Sequence, residues 1–226
     1  MTVAVVQFGG SNCDRDTVLA LEAVGVDAHL VWHEDGLPAE VDGIVLPGGF
    51  SYGDYLRAGA MAARDPIMDD VASAAAAGTP VLGICNGAQI GAEASLTPGA
   101  FTTNESARFQ CEHVFCRVEN ADTPWTVPYE EGEVVELPIA HAEGRFEIDA
   151  QALERLEAED RILLRYCDES GAVSEDANPN GSRHAVAGVT GDAGDHVAVM
   201  MPHPERVSLS DIDGVQGRGV LRAFAR

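Results

Sequence analysis

Apolar positions in the first half of the chain fall into short runs separated by longer stretches with helical spacing. Residues 2–8 form a nearly continuous apolar run that predicts a buried strand ending at Gly9-Gly10. Ser11-Asn12-Cys13-Asp14 supplies cap residues, and Val18, Leu21 and Val24 keep helical spacing until Gly25. Residues 26–33 read as a second strand. Residues 43–46 read as a third, running into Pro47-Gly48-Gly49. Asp65-Pro66 caps a helix that continues through an alanine-rich stretch to Gly78, and residues 81–84 make a fourth strand. This alternation predicts an α/β fold with a mostly parallel sheet and helices on both faces. In such sheets ligands bind beyond the carboxyl ends of the strands. Both Pro47-Gly48-Gly49 and Cys85 fall at that end.

Past Leu96-Thr97-Pro98-Gly99 the pattern changes. Residues 112–119 and 133–140 read as strands joined by short turns, which makes part of the second half antiparallel. Residues 150–158 read as a helix, 161–167 as a strand and 178–182 as a loop. Residues 185–190 and 196–201 read as two strands around a hairpin at 191–195, and residues 215–224 as a closing helix. There is no repeat, linker or compositional break, so residues 1–226 are expected to form a single domain.

Charge alters the picture of the surface. Fourteen basic residues, all of them Arg, stand against 37 acidic ones, for a net charge of −23. The acidic residues are spread along the chain without a block tail, which points to solubility in a salt-rich cytoplasm rather than to one basic partner. Nucleic acid is excluded as a partner, because phosphate binding needs a basic face. No apolar run approaches a membrane span, so no membrane partner and a cytoplasmic location are expected. The cysteines are Cys13, Cys85, Cys111, Cys116 and Cys167. Their odd number and the lack of any C-x-x-C argue for reduced thiols, without a disulfide framework or a metal site.

Candidate chemistry centres on Gly83-Ile84-Cys85-Asn86-Gly87. This is the shape of a nucleophile elbow with Cys in place of Ser: a strand delivers the residue, a sharp turn exposes it and a helix starts behind it. Glycines two residues either side let strand and helix approach where a Cβ would clash. The helix N-terminus favours a thiolate and an oxyanion. The motif is short, and a structural cysteine fits it equally well. A nucleophile also needs a base. In Met201-Pro202-His203-Pro204-Glu205-Arg206, His203 and Glu205 point the same way in an extended segment stiffened by two prolines, which suits a base held by a carboxylate. A surface histidine beside an exposed glutamate is the alternative. Oxyanion donors would come from the backbone N–H of Asn86 and the Gly48-Gly49 loop.

Three segments in this order carry a resemblance: residues 47–55 (PGGFSYGDY), residues 83–89 (GICNGAQ) and residues 201–206 (MPHPER). The chain resembles the class I (triad-type) glutamine amidotransferases. Within them it is most similar to the glutaminase subunits of phosphoribosylformylglycinamidine synthases of purine biosynthesis. The narrower likeness rests on Gly-Phe-Ser-Tyr-Gly-Asp and on Asn after the cysteine. Residues 11–14, 32–34, 141–144, 179–182 and 187–189 add to it. Ala88 stands where the family usually has Phe, Ala142 where it has Gly, and Gly9-Gly10 where it has Pro-Gly.

The resemblance implies a three-layer, flavodoxin-like fold with a mostly parallel sheet. It implies that Cys85 attacks the side-chain amide of glutamine, that His203 moves the proton and that Glu205 orients His203. Gly49 and Asn86 would form the oxyanion hole. Gln89 would hold the substrate, with Asn180, Gly181 and Ser182 at its amino-acid end. Ammonia would pass to a large synthetase subunit, accompanied by a small accessory subunit. No cofactor is expected in this chain, and ATP and Mg would sit on the synthetase. Cys13, at the end of a strand but with no helix turn or base to serve it, reads as structural or partner-facing.

Overall fold

The computed structural model describes residues 1–209 and 214–225. Strands β1 (Thr2–Gln7), β2 (Asp27–Trp32), β3 (Gly43–Leu46) and β4 (Val81–Ile84) alternate with helices α1 (Asp14–Ala23), α2 (Ile67–Ala76) and α3 (Asn86–Glu93). β5 (Ala100–Thr102), β6 (Gln110–Val118), β7 (Val134–His141) and β8 (Arg145–Glu147) follow, then α4 (Ala150–Ala158), β9 (Ile162–Cys167), β10 (Val186–Gly191), β11 (Gly194–Met200) and α5 (Arg218–Leu221).

Nine strands form one sheet in the order β2-β1-β3-β4-β11-β10-β9-β6-β7. The first five pair in parallel. The remainder extend the sheet through antiparallel pairings. Alternation along each strand builds a core on both faces. Val3 and Val5 of β1, Val45 of β3, and Leu82 and Ile84 of β4 enter one apolar cluster. Ala4, Val6, Ile44, Leu46 and Val81 enter the other, with Ile67 and Val71 of α2. The result is the three-layer α/β arrangement expected from the sequence.

The differences are local. β6 and β7 are joined not by a short turn but by residues 119–133, whose Trp125 is fully buried and stacks edge-on against Phe224. A two-stranded sheet of β5 and β8 has no clear sequence signal, because each strand is three residues long. The closing helix is shorter than expected. α5 spans Arg218–Leu221 and tightens into a 3₁₀ turn at Arg222–Ala225. A Cβ on Gly217 would lie 1.9 Å from Pro204 O, and one on Gly219 would lie 2.2 Å from the Tyr129 ring. This segment is therefore shaped by close packing rather than by helical amphipathicity. No helix among the described residues is long and apolar enough to cross a membrane.

Sheet order decides what meets at the carboxyl edge. β1, β3, β4 and β11 are neighbours there, although their ends carry Cys13, Gly48-Gly49, Cys85 and His203 from opposite ends of the chain.

Candidate active site

β4 ends in Cys85, which has φ 50° and ψ −105° and leads directly into α3. A β-carbon residue at positive φ is strained and persists only where its surroundings over-determine it. They do so here. Cys85 N–H donates to Met200 O of β11 at 2.8 Å, which ladders the turn to the neighbouring strand. A Cβ on Gly87 would lie 1.8 Å from Leu46 O, and one on Gly83 would lie 2.5 Å from Gly87 O. The two glycines are thus required by close approach, as the elbow motif anticipates. The Cys85 thiol is buried and donates to Ala140 O at 3.6 Å. The first N–H groups of α3, starting with Asn86, have no carbonyl a turn earlier to accept them.

β11 runs on to His203 and Glu205. His203 Nδ1 and Glu205 Oε1 are 2.5 Å apart, with both side chains buried. The two side chains meet as the sequence reading expects, but through a 3₁₀ turn at Pro204–Val207 rather than along an extended segment. His203 N–H donates to Pro138 O at 2.8 Å, so β7 reaches back over the site and fixes the histidine's backbone. Burial opposes protonation of His203, but the Glu205 carboxylate and the Cys85 thiol overcome it and lift its pKa well above the ordinary value. His203 Nε2 is buried and makes no hydrogen bond within the described residues. Nearby His141 is pushed down to about 4, by burial first and by His203 second, and stays neutral.

The loop after β3 forms the opposite wall. Gly49 has φ 155°, and a Cβ there would lie 2.8 Å from Gly10 O. Asn86 organises this wall. Its Oδ1 accepts from Ser51 N–H at 3.0 Å, and its Nδ2 donates to Gln89 Oε1 at 2.8 Å and toward Asp54 Oδ1 at 3.5 Å. The Asn after the cysteine and the Ser-Tyr-Gly-Asp segment are therefore one interlocked unit. Tyr52 OH donates to Asp65 Oδ2 at 2.9 Å, and His33 Nδ1 lies 2.7 Å from the same oxygen. His33 also stacks on Phe8. That network explains the 32–34 segment as a support for the loop.

These walls enclose a cavity of about 200 Å³ lined by Gly49, Asp54, Cys85, Gln89, Glu143 and His203, among others. Gln89 Nε2 donates to Glu143 O at 2.7 Å. Asp54 is lifted to about 6, first by burial and then by the Glu143 charge. Sequence reading missed this carboxylate pair, because its members stand on different loops. A larger cavity of about 710 Å³ lies elsewhere and is lined by Arg117, Arg145, Arg165 and Arg183. No cysteine lines it, and three of its arginines pair with glutamates. Chemistry, not size, locates the site.

Two sequence expectations need correction. Asn180, Gly181 and Ser182 do not line the cavity at Cys85. Asn180 is fully buried and donates to Gly144 O at 2.9 Å, and Ser182 Oγ accepts from Phe146 N–H at 3.0 Å. They brace the 144–146 segment from behind, and Gly181 and Ser182 face the arginine-lined cavity. Cys13, in turn, does have a helix and a histidine: it caps α1, and its Sγ shares a small space with His203 and Glu205. Arg206 Nη2 donates to that sulfur at 3.1 Å. Ala88 is fully buried in the core behind the elbow.

A thiol on a strained strand-to-helix turn, a buried His–Glu pair and a glycine loop define a cysteine amidohydrolase of the glutamine amidotransferase class. The CobB/CobQ-like glutamine amidotransferase domain matches residues 1–214. The phosphoribosylformylglycinamidine synthase subunit PurQ of Halobacterium salinarum is 68% identical over 225 residues, covering 100% of both chains. That of Natronomonas pharaonis is 66% identical, covering 99% of this chain and 100% of the relative. In the structure of PurLQS from Thermotoga maritima, a chain 41% identical superposes with a TM-score of 0.86, covering 99% of this chain and 97% of that one. The chain belongs to the CobB/CobQ-like glutamine amidotransferases and, among them, to the family of phosphoribosylformylglycinamidine synthase PurQ subunits.

Proposed function

We propose that this chain is the glutaminase subunit of a phosphoribosylformylglycinamidine synthase. The carrying observation is the elbow thiol of Cys85 set beside the buried His203–Glu205 pair. Cys85 attacks the side-chain amide carbon of glutamine. His203 takes the thiol proton and passes it to the departing ammonia, leaving a glutamyl thioester. Water, deprotonated by His203, then attacks the thioester and releases glutamate and the Cys85 thiol. The backbone N–H groups of Gly49 and Asn86 stabilise both tetrahedral intermediates, each donor contributing roughly 2.7–4 kcal/mol. Glu205 keeps the ring oriented and supports its positive charge.

The rest of the cavity suits the amino-acid end of glutamine. Asp54 and Glu143 offer a negative site for its α-ammonium, which would relieve the repulsion that lifts Asp54. Gln89 positions the side chain, and Asn180–Ser182 act through the 144–146 segment rather than by direct contact.

Ammonia is passed to a synthetase partner, and a small accessory subunit completes the complex. Exposed Phe50 and Phe109, which line the cavity, and exposed Tyr55 and Leu56 on the loop that follows Phe50 support this reading, because large exposed apolar groups suit a surface that a partner covers. The chain has no Lys and hence no lysine phosphate loop, so ATP and Mg belong to the partner. The cytoplasm is the compartment, and the −23 charge is an adaptation to salt there. Thermal unfolding should shift upward with added salt, whereas full stability in dilute buffer would contradict that adaptation. The functional test is Cys85→Ala in the assembled complex. Synthesis from glutamine should vanish while synthesis from ammonium persists, and surviving glutamine use would overturn the mechanism.

A further inference from the structure

Cys13, His203 and Glu205 come from opposite ends of the chain, yet one ligand atom from each lies within 4.8 Å of the others. Among the described residues this is the one group of three or more His, Cys, Asp or Glu with that geometry. The three side chains are 1–2% exposed. Glu205 Oε2 is buried without a hydrogen-bond partner. The space between the groups is fixed by Gly48, whose added Cβ would lie 2.8 Å from His203 Cε1, 3.3 Å from Nδ1 and 3.2 Å from Cys13 Sγ. Gly48 thus packs against the Cε1 edge of the ring and the Cys13 sulfur together. A separate cavity of about 470 Å³, lined by Cys13, Asp16, Pro138, Glu205 and Arg206, reaches this cluster. The glutamine cavity is lined by His203, and it shares Cys13 and Arg206 with the second cavity, but Glu205 lines only the second one.

We propose that Cys13, His203 and Glu205 form an inhibitory site for a soft divalent transition metal, zinc above all, reached through this second cavity. A thiolate, an imidazole and a carboxylate are donors of the kind zinc takes, and three protein ligands leave a fourth position for water. Ligand atoms around a tetrahedral zinc stand about 3.3–3.7 Å apart, so the widest pair has to close by roughly 1–1.5 Å and the 2.5 Å His203–Glu205 contact has to open. On binding, Cys13 gives up its thiol proton and His203 the Nδ1 proton it shares with Glu205. Both protons pass to solvent, and metal–sulfur and metal–nitrogen bonds form in their place, with no change of oxidation state. Arg206 is the competitor, since its guanidinium holds the sulfur at 3.1 Å and must swing aside. Its side chain is one-third exposed and has room to do so. The consequence rests on the reading of His203 as the proton carrier: a metal on its ring removes that carrier at the wall of the glutamine cavity.

The test uses Co(II) alone on the full chain and Zn(II) on the glutaminase reaction of the assembled complex. Co(II) should give a near-ultraviolet thiolate-to-metal charge-transfer band at one metal per chain. Cys13→Ser should weaken metal binding by about a hundredfold or more, since losing a ligand costs at least as much as losing its outer-shell support. Cys85→Ser should keep the band, and Arg206→Leu should tighten binding. Zn(II) should lower kcat and leave the KM for glutamine unchanged, and Cys13→Ser should relieve that inhibition. A band retained in Cys13→Ser but lost in Cys85→Ser, or no band in the wild-type chain, would overturn the site. A Cys13-dependent band without inhibition would overturn the inhibitory role and count against His203 as the proton carrier. A rise in KM would show that the metal occupies the glutamine cavity instead.

Discussion

Two strand-to-helix junctions meet at the same histidine. At one, β1 leads through Cys13 into α1. At the other, β4 leads through Cys85 into α3. Both cysteines are buried N-cap residues at the carboxyl edge of a parallel sheet. Their backbones differ. Cys13 has φ −96° and ψ 10°, an ordinary conformation. Cys85 is at φ 50°, clamped between glycines that tolerate no Cβ and laddered to β11. At the Cys13 junction a Cβ on Gly9 would meet nothing within 4 Å, although one on Gly10 would lie 2.5 Å from Phe50 O. The neighbours differ as well: Arg206 engages Cys13, while Asn86, Gln89 and the Gly49–Asp54 wall surround Cys85. Proximity to a histidine thus does not make a nucleophile. Both cysteines line the cavity, so what makes the nucleophile is the strained turn that sets Cys85 beside the first N–H groups of α3.

Substitutions can break this comparison. The largest effect is expected at the sulfurs themselves. Cys85→Ala should reduce glutamine hydrolysis to background, and Cys13→Ser should retain most of it, as read by ammonia release from the complex. Next comes the shared base. Glu205→Gln should lower kcat by about 10²–10⁴-fold, the usual reach of acid–base catalysis, with little change in KM. The glycines come third. Gly87→Ala forces a Cβ against the Leu46 carbonyl and should cost about 1–3 kcal/mol of stability, while Gly9→Ala should be close to neutral, both measured by denaturant unfolding. Asn86→Ala strips a buried acceptor from Ser51 N–H, a loss of about 1–3 kcal/mol, and should lower kcat/KM at unchanged secondary structure.

The smallest effect concerns pH. Asp54 is lifted to about 6, so it is ionised above that value and protonated below it. Its attraction for the substrate ammonium is present at neutral pH and lost as pH falls through about 6. The KM for glutamine should rise over that window. Asp54→Asn should have a raised KM at neutral pH and no further rise on acidification.

How much was legible follows from where each feature is encoded. The elbow and the His203–Glu205 pair are written in contiguous residues, and local rules of turn, strand and proline reach them. The parallel half of the sheet is legible from short apolar strands, whereas the 119–133 connection and its buried Trp125 are not, because that packing is non-local. Cys13 was misread for the same reason: its partners depend on β1, β3, β4 and β11 being neighbours, and nothing near residue 13 says so. Asn180–Ser182 failed in the opposite sense. The segment is recognisable, but Asn180 and Ser182 brace residues 144–146 instead of lining the cavity at Cys85. Asp54 and Glu143 carry no joint signal at all, since burial and mutual repulsion arise only once the loops are folded together.

The central claim is that Cys85, and not Cys13, is the nucleophile that His203 serves. A glutamine-directed diazo ketone such as diazo-oxo-norleucine alkylates the attacking thiol, and peptide mapping by mass spectrometry locates the adduct. One adduct per chain on Cys85, with Cys13 unmodified and glutamine protecting against labelling, is the predicted result. An adduct on Cys13, or none on Cys85 in the assembled complex, would contradict it.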